Sequence, residues 1–192
     1  MSIIGLKKTA PIWISPLTKF DAFELDELYS FKNRKKPLEE RENLYVMTMI
    51  SRSPRQIVGF NVDESKEKEK IQPIVDSTPP ANRYYTDGNP TYLDVDFLGT
   101  LIQNIDDKSD THNVESVNSD LRHYIPMLAR KSRCFPRNTK TLKAVLSVFV
   151  NAYNKFGEAK LWAYRPVKHQ SMLPNKHLHK FKELPFSILN FL

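Results

Sequence analysis

Three acids stand where rigid elements can aim them at one point. Asp26 lies in the middle of a strand-like stretch, Asp87 ends a later one just before a Gly turn, and Glu115 sits in the first turn of a long helix-like stretch. Carboxylates brought together from such positions can share two divalent ions about 3.5–4 Å apart, one activating an attacking oxygen and the other stabilising a leaving oxygen. Magnesium, or manganese in its place, suits such a donor set, because magnesium favours oxygen ligands, keeps its waters and takes only one or two protein carboxylates per ion. Glu115, Asn118 and Arg122 follow one another at i, i+3 and i+7. That spacing puts them within about 60° of each other on a helix. On this reading Glu115 holds metal, Asn118 orients it or a scissile phosphate, and Arg122 clamps a phosphate. Each residue also has a plainer reading. Glu115 complements a helix dipole, Arg122 is an exposed cation, Asp87-Gly88 is a turn, and Asp26 is an exposed strand acid. With 22 acids in 192 residues, spacing alone does not choose between them.

The elements that must position these groups are legible in the apolar pattern. Phe23, Leu25, Tyr29 and Phe31 alternate, with Glu27 breaking the series, and predict a strand over Phe20–Phe31. The charged, Pro-containing segment 32–43 reads as a loop. Leu44–Ile50 and Gln56–Val62 are apolar runs of strand length joined by Ser-Arg-Ser-Pro-Arg, which predicts a hairpin. Asp63–Ser77 favours a helix limited or kinked by Pro73 and closed by Pro79-Pro80. Asn82–Thr86 is a short strand ended by Asp87-Gly88-Asn89-Pro90. Tyr92–Ile105 fits helix or strand, and Asp106–His112 is polar loop. Val114, Val117, Leu121, Tyr124, Ile125 and Leu128 form one stripe and predict a helix over Asn113–Lys131, kinked near residue 122 by Pro126. A second helix, Thr139–Phe156, buries Leu142, Val145, Leu146, Phe149 and Tyr153, with Gly157 as its stop. The order predicts one α/β domain over residues 20–156, a lead-in over 1–19 and a basic tail over 157–192. A ribonuclease-H-like mixed sheet flanked by helices has this order, and other α/β folds share it.

Charge and cysteine count narrow the function classes. The chain carries 29 Lys and Arg against 22 Asp and Glu, a formal charge of +7. Between Asp120 and Lys143 seven cations (Arg122, Arg130, Lys131, Arg133, Arg137, Lys140, Lys143) face one acid. Such a segment beside a cleft suits a polyanion, nucleic acid above all; a solvated basic face is the even-odds alternative. The single cysteine, Cys134, excludes an internal disulfide framework, a four-cysteine zinc site and an iron–sulfur cluster within one chain. No apolar run reaches the roughly 20 residues needed to span a bilayer, and the first 20 residues lack the order of a signal peptide.

Other candidates carry less. Cys134 in its Arg-rich stretch is structural before it is a nucleophile, and His177 and His179 are solvated tail residues before they are metal ligands. His112 is a weaker candidate for catalysis or DNA contact. Trp13 and Trp162 read as packing residues. Tyr84, Tyr85 and Tyr92 can stack on bases, although core packing is the simpler assignment for at least two of them.

A more specific signal lies in the ordered words Glu24-Leu25-Asp26-Glu27-Leu28-Tyr29-Ser30-Phe31, Tyr85-Thr86-Asp87-Gly88, His112-Asn113-Val114-Glu115-Ser116-Val117-Asn118, Leu121-Arg122 and Leu128-Ala129-Arg130-Lys131-Ser132-Arg133-Cys134-Phe135-Pro136-Arg137. Over residues 20–150 the set resembles the catalytic half of insertion-sequence-one-type transposases, a branch of the DDE transposases. The resemblance implies a ribonuclease-H-like fold, two magnesium (or manganese) ions on the triad Asp26, Asp87 and Glu115, and DNA cleavage with strand transfer at element ends. It implies DNA contacts at Asn118, Arg122, Arg130, Lys131, Arg133 and Arg137, double-stranded DNA as partner, a homo-oligomer assembled on that DNA, and a cytoplasmic, nucleoid-associated location. Members of the family usually carry an amino-terminal zinc finger and helix-turn-helix. Only about 20 residues precede the first strand here, so the chain resembles the downstream frame of a frameshifted pair, with an upstream-frame DNA-binding protein as a further partner, or a truncated copy. A magnesium-dependent structure-specific nuclease and an inactive DNA-binding remnant are the rival readings.

Overall fold

A computed structural model describes the backbone of residues 20–32, 37, 40, 42–103, 108–129, 136 and 138–163, and their side chains except those of 108, 109 and 156–163. Five strands form one mixed sheet: β1 (Ala22–Lys32), β2 (Glu42–Ser51), β3 (Ile57–Asp63), β4 (Arg83–Thr86) and β5 (Thr100–Gln103). Their spatial order is β3-β2-β1-β4-β5. The first three strands are antiparallel neighbours, as short connections allow. β4 runs parallel to β1 and β5 parallel to β4, which requires crossovers. Helix α1 (Lys68–Asp76) makes the first crossover, and a single 3-10 stretch, Pro90–Asp94, lies in the second. Helices α2 (His112–Tyr124) and α3 (Thr139–Ala163) complete the α/β, ribonuclease-H-like layout.

The period-two pattern of β1 sorts its side chains between two cores. Leu28 joins Leu44, Val46, Ile50, Ile57 and Val62 under α2 and α3. Phe23 and Leu25 join Met47, Met49 and Val58 under α1. The predicted stripes supply the facing sides: Val114, Val117 and Leu121 from α2, and Leu142, Leu146, Phe149 and Tyr153 from α3.

Three stretches differ most from the expectation. α2 ends at Tyr124 instead of continuing, kinked, to Lys131. Ile125 is extended (φ −106°, ψ 99°) because the ring of Pro126 disfavours helical backbone in the residue before it, and a separate 3-10 turn, Pro126–Leu128, follows. Ile125 and Leu128 still reach the core, so the apolar stripe survives the break. α3 runs through Gly157 to Ala163. One glycine costs a helix only about 1 kcal/mol, and Glu158, Ala159, Lys160 and Leu161 are good helix formers. The ambiguous segment 92–105 resolves into the 3-10 stretch and β5. The lead-in 1–19, the tail beyond Ala163, and with it His177 and His179, lie outside the described residues.

Candidate metal centre and cleft

The strand β1 builds most of the site. Alternation sends Glu24, Asp26 and Leu28 to the α2/α3 face and Phe23, Leu25 and Glu27 to the other. β4 pairs with β1 only over Ala22–Leu25, with Thr86 opposite Leu25. Asp87 therefore stands just past the end of β4, at the edge of β1, where acids on both faces come within reach. One carboxylate oxygen from each of Asp26, Glu27 and Asp87 lies within 4.8 Å of the other two.

Each acid is held by its own bonds. Asp26 Oδ1 accepts from the Glu27 amide at 2.8 Å, and Oδ2 accepts from Asn118 Nδ2 at 2.8 Å. Asn118 Oδ1 in turn accepts from Thr48 Oγ1 at 3.2 Å, so a buried β2 hydroxyl fixes the amide that fixes Asp26. Glu27 accepts from Asn89 Nδ2 at 3.1 Å and from the hydroxyl of the buried Tyr92. Asp87 Oδ1 accepts from the Asn89 amide at 3.1 Å. Gln103 of β5 stitches this turn, donating to the carbonyls of Asp87 (3.0 Å) and Asn89 (3.1 Å).

Burial and crowding hold protons on the cluster. Loss of solvent, with Asp87 and Glu115 nearby, pushes Asp26 up to about 6. Loss of solvent, with Asp87 and Asp26 nearby and only Lys66 opposing as a cation, pushes Glu27 up to about 7. Anionic oxygens gathered at such electrostatic cost, all hard donors, fit a magnesium or manganese ion. Both groups bind protons more tightly folded than unfolded, so their contribution to stability is present below their ordinary values and is lost as pH rises through about 6 and 7. Metal-free protein should lose roughly 2–4 kcal/mol of unfolding free energy between pH 4.5 and 7.5 from these groups. Urea unfolding in EDTA across that range measures it, and Glu27→Gln should flatten the slope.

Glu115 does not belong to the tight cluster. It is exposed on α2 and faces Asp26 across a cleft of about 600 Å³ that Glu27, Asn118, Arg122 and His123 also line. The i, i+3, i+7 edge of α2 thus opens onto the cleft as its spacing predicts. Asn118 is engaged with Asp26 and Thr48. Arg122 Nη2 donates to the Tyr29 carbonyl at 3.2 Å. His112 is exposed at the start of α2. Arg130, Lys131, Arg133 and Arg137, with Cys134, lie outside the described residues. Tyr84, Tyr85 and Tyr92 are all buried. Among the described residues no helix is long and apolar enough to cross a membrane.

No protein-family model and no curated protein matches this chain.

Two residues that position the site escape the sequence reading. Glu27 reads as a break in an apolar series, because its neighbours on both faces are not visible along the chain. Glu24, fully buried, accepts from Arg52 Nε (2.7 Å), Asn113 Nδ2 (2.7 Å) and the Val114 amide (2.9 Å), and so ties the start of α2 to β1. Its place two residues before Asp26, on the same strand face, was the available signal.

Proposed function

We propose that this chain is the catalytic half of a DDE transposase of the insertion-sequence-one type, cleaving DNA at element ends and transferring the freed strand to a target. One observation carries the reading most: Asp26 and Asp87, 61 residues apart in sequence, share one acidic cluster at the edge of a ribonuclease-H-like sheet, with Glu115 and Arg122 on the same cleft.

On this reading Asp26, Asp87 and Glu115 hold magnesium, with Glu27 adding a fourth carboxylate to the cluster. Bound magnesium supplies activation of the attacking oxygen and neutralisation of the leaving one. The chain's own groups do the rest. Asn118 holds the Asp26 carboxylate at the cleft, and the Asn89 amide holds Asp87 in the acidic cluster. Arg122 offers cationic charge to a phosphate entering the cleft. The bond changes are two in-line displacements at phosphorus. Water attacks a terminal phosphodiester and releases a 3′-hydroxyl; that hydroxyl then attacks a target phosphodiester and releases a second 3′-hydroxyl. The basic balance of the chain suits double-stranded DNA, and a cytoplasmic, nucleoid-associated location with assembly into a homo-oligomer follows from the reading.

The test is a strand-transfer assay with the full chain, magnesium or manganese, and labelled DNA carrying the sequences that flank its gene. Joined products are expected. Cleavage without joining makes the chain a structure-specific nuclease, and DNA binding without turnover makes it an inactive remnant.

A further inference from the structure

Beyond Leu25, β1 has no strand partner on its β4 side among the described residues. The acidic cluster opens at that edge. Two residues past Glu27, Tyr29 is half exposed, the one aromatic among the large apolar side chains that are exposed in the described residues. Its ring is held in place. The centroid lies 5.6 Å from that of Tyr45, its direct cross-strand neighbour on β2, and its hydroxyl donates to Asn43 Oδ1 at 3.1 Å. Lys66 Nζ sits 6.0 Å from the Tyr45 ring centroid. Arg122, from the cleft side, bonds the Tyr29 carbonyl. By the alternation of β1 the ring stands on the α1 face and the cleft on the α2 face, so the two lie on opposite faces of one strand beside its open edge, with a cation on each face.

We propose that Tyr29, backed by Tyr45 and Lys66, is a stacking platform for an unpaired nucleobase of a DNA strand that crosses the open edge of β1, its phosphates running past Arg122 into the cleft on the other face. This rests on the cleft being a DNA site. A duplex hides its base faces within the stack, so an exposed ring selects a base that has left it. Stacking accepts any base, because each has a π-face. A ring fixed by a hydrogen bond and a neighbouring ring loses little further freedom when a base settles on it. Lys66 and Arg122 supply the charge complementarity for the backbone on the two sides of that base. The buried Tyr84, Tyr85 and Tyr92 are closed to this role.

The test uses the full chain in EDTA, with a blunt duplex and the same duplex carrying a short single-stranded tail whose first base is 2-aminopurine. Wild-type chain should bind the tailed probe more tightly and quench its fluorescence. Tyr29→Leu should lower affinity for the tailed probe by roughly 5- to 100-fold and abolish the quench. Its affinity for the blunt duplex and its thermal melting should match wild type. Tyr29→Phe, which keeps the ring and its Tyr45 contact but not the bond to Asn43, should still quench, with an affinity between those of wild type and Tyr29→Leu. The platform is overturned if Tyr29→Leu binds both probes normally, or loses both equally. Magnesium is added only afterwards, so the two readings fail separately. Tyr29-dependent stacking without later cleavage sinks the transposase reading alone, and cleavage with Tyr29-indifferent binding sinks the platform alone.

Discussion

Asp87→Asn should abolish DNA cleavage, by at least about 10³-fold, the order expected when several kcal/mol of metal-borne charge stabilisation is lost. The variant should stay folded. Asp87 Oδ1 accepts the Asn89 amide in a turn that asparagine also makes, so the change removes a charge and keeps the acceptor. It also removes one of the carboxylates that push Asp26 and Glu27 upward. Metal-free Asp87→Asn should therefore melt at the same temperature as wild type or higher at pH 7.5. Loss of activity together with unchanged or increased stability is the signature of a group kept for its ligands. Glu115→Gln should give the same loss of cleavage with no change in melting, because Glu115 is exposed. Asp26→Asn is the less clean variant, since Asp26 uses both oxygens as acceptors and an amide can replace only one. Magnesium should raise the melting temperature of wild type and of Glu115→Gln, whose three-acid cluster is intact, and of neither Asp87→Asn nor Asp26→Asn. A Glu115→Gln enzyme that still cleaves would remove Glu115 from the metal-binding set and leave the Asp26, Glu27, Asp87 cluster in its place.

What the sequence revealed and what it hid follow from how local each property is. The β1 alternation, the α2 stripe and the α3 stripe are periodic over ten or more residues, and most of the side chains they mark are buried; Tyr29 is exposed and Phe31, Tyr124 and Val145 are half-buried. The turn at Asp87-Gly88 is local chemistry and ends β4 where expected. Ile125 shows the limit of a local rule: a proline can kink a helix or stop one, and the choice at Pro126 was a stop. Gly157 shows the reverse, a favoured stop outweighed by the helix formers after it. Glu27 was hidden for a different reason. Its partners, Asn89 and Tyr92, lie more than 60 residues away on the β4–β5 crossover. For the tyrosines around Asp87 core packing is the simpler assignment for at least two, and the sheet buries all three and leaves Tyr29 outside. The order of the motif words marked Asp26, Asp87 and Glu115 along the chain; only the strand order brings Asp26 and Asp87 to one edge.

Glu24→Ala should be the most destabilising single change in the site region, at about 3–5 kcal/mol, the usual cost of removing one partner from a buried charge pair. The carboxylate is fully buried and takes three donors, one of them the guanidinium of Arg52. Without it the Arg52 charge keeps only its bonds to Asp110 and its place 3.5 Å above the Tyr85 ring. The Val114 amide, in the first turn of α2, loses its acceptor as well. A loss of that size is a large fraction of the 5–15 kcal/mol typical of a whole domain. Glu24→Gln separates charge from shape. Its amide group must point either at Val114 N or at the Arg52 and Asn113 donors, so one donor faces another in both orientations, and a cost of about 1–3 kcal/mol is expected. Urea unfolding of the two variants and of Arg52→Met, with the Glu24→Ala/Arg52→Met double variant, closes a thermodynamic cycle; a coupling near zero would show that the pair does not hold α2 to β1. Because Val114 precedes Glu115 and Asn113 lies in the same first turn, Glu24→Gln should also lower cleavage while the cluster of Asp26, Glu27 and Asp87 still binds metal. That split between metal binding and turnover distinguishes a displaced α2 from a lost ligand.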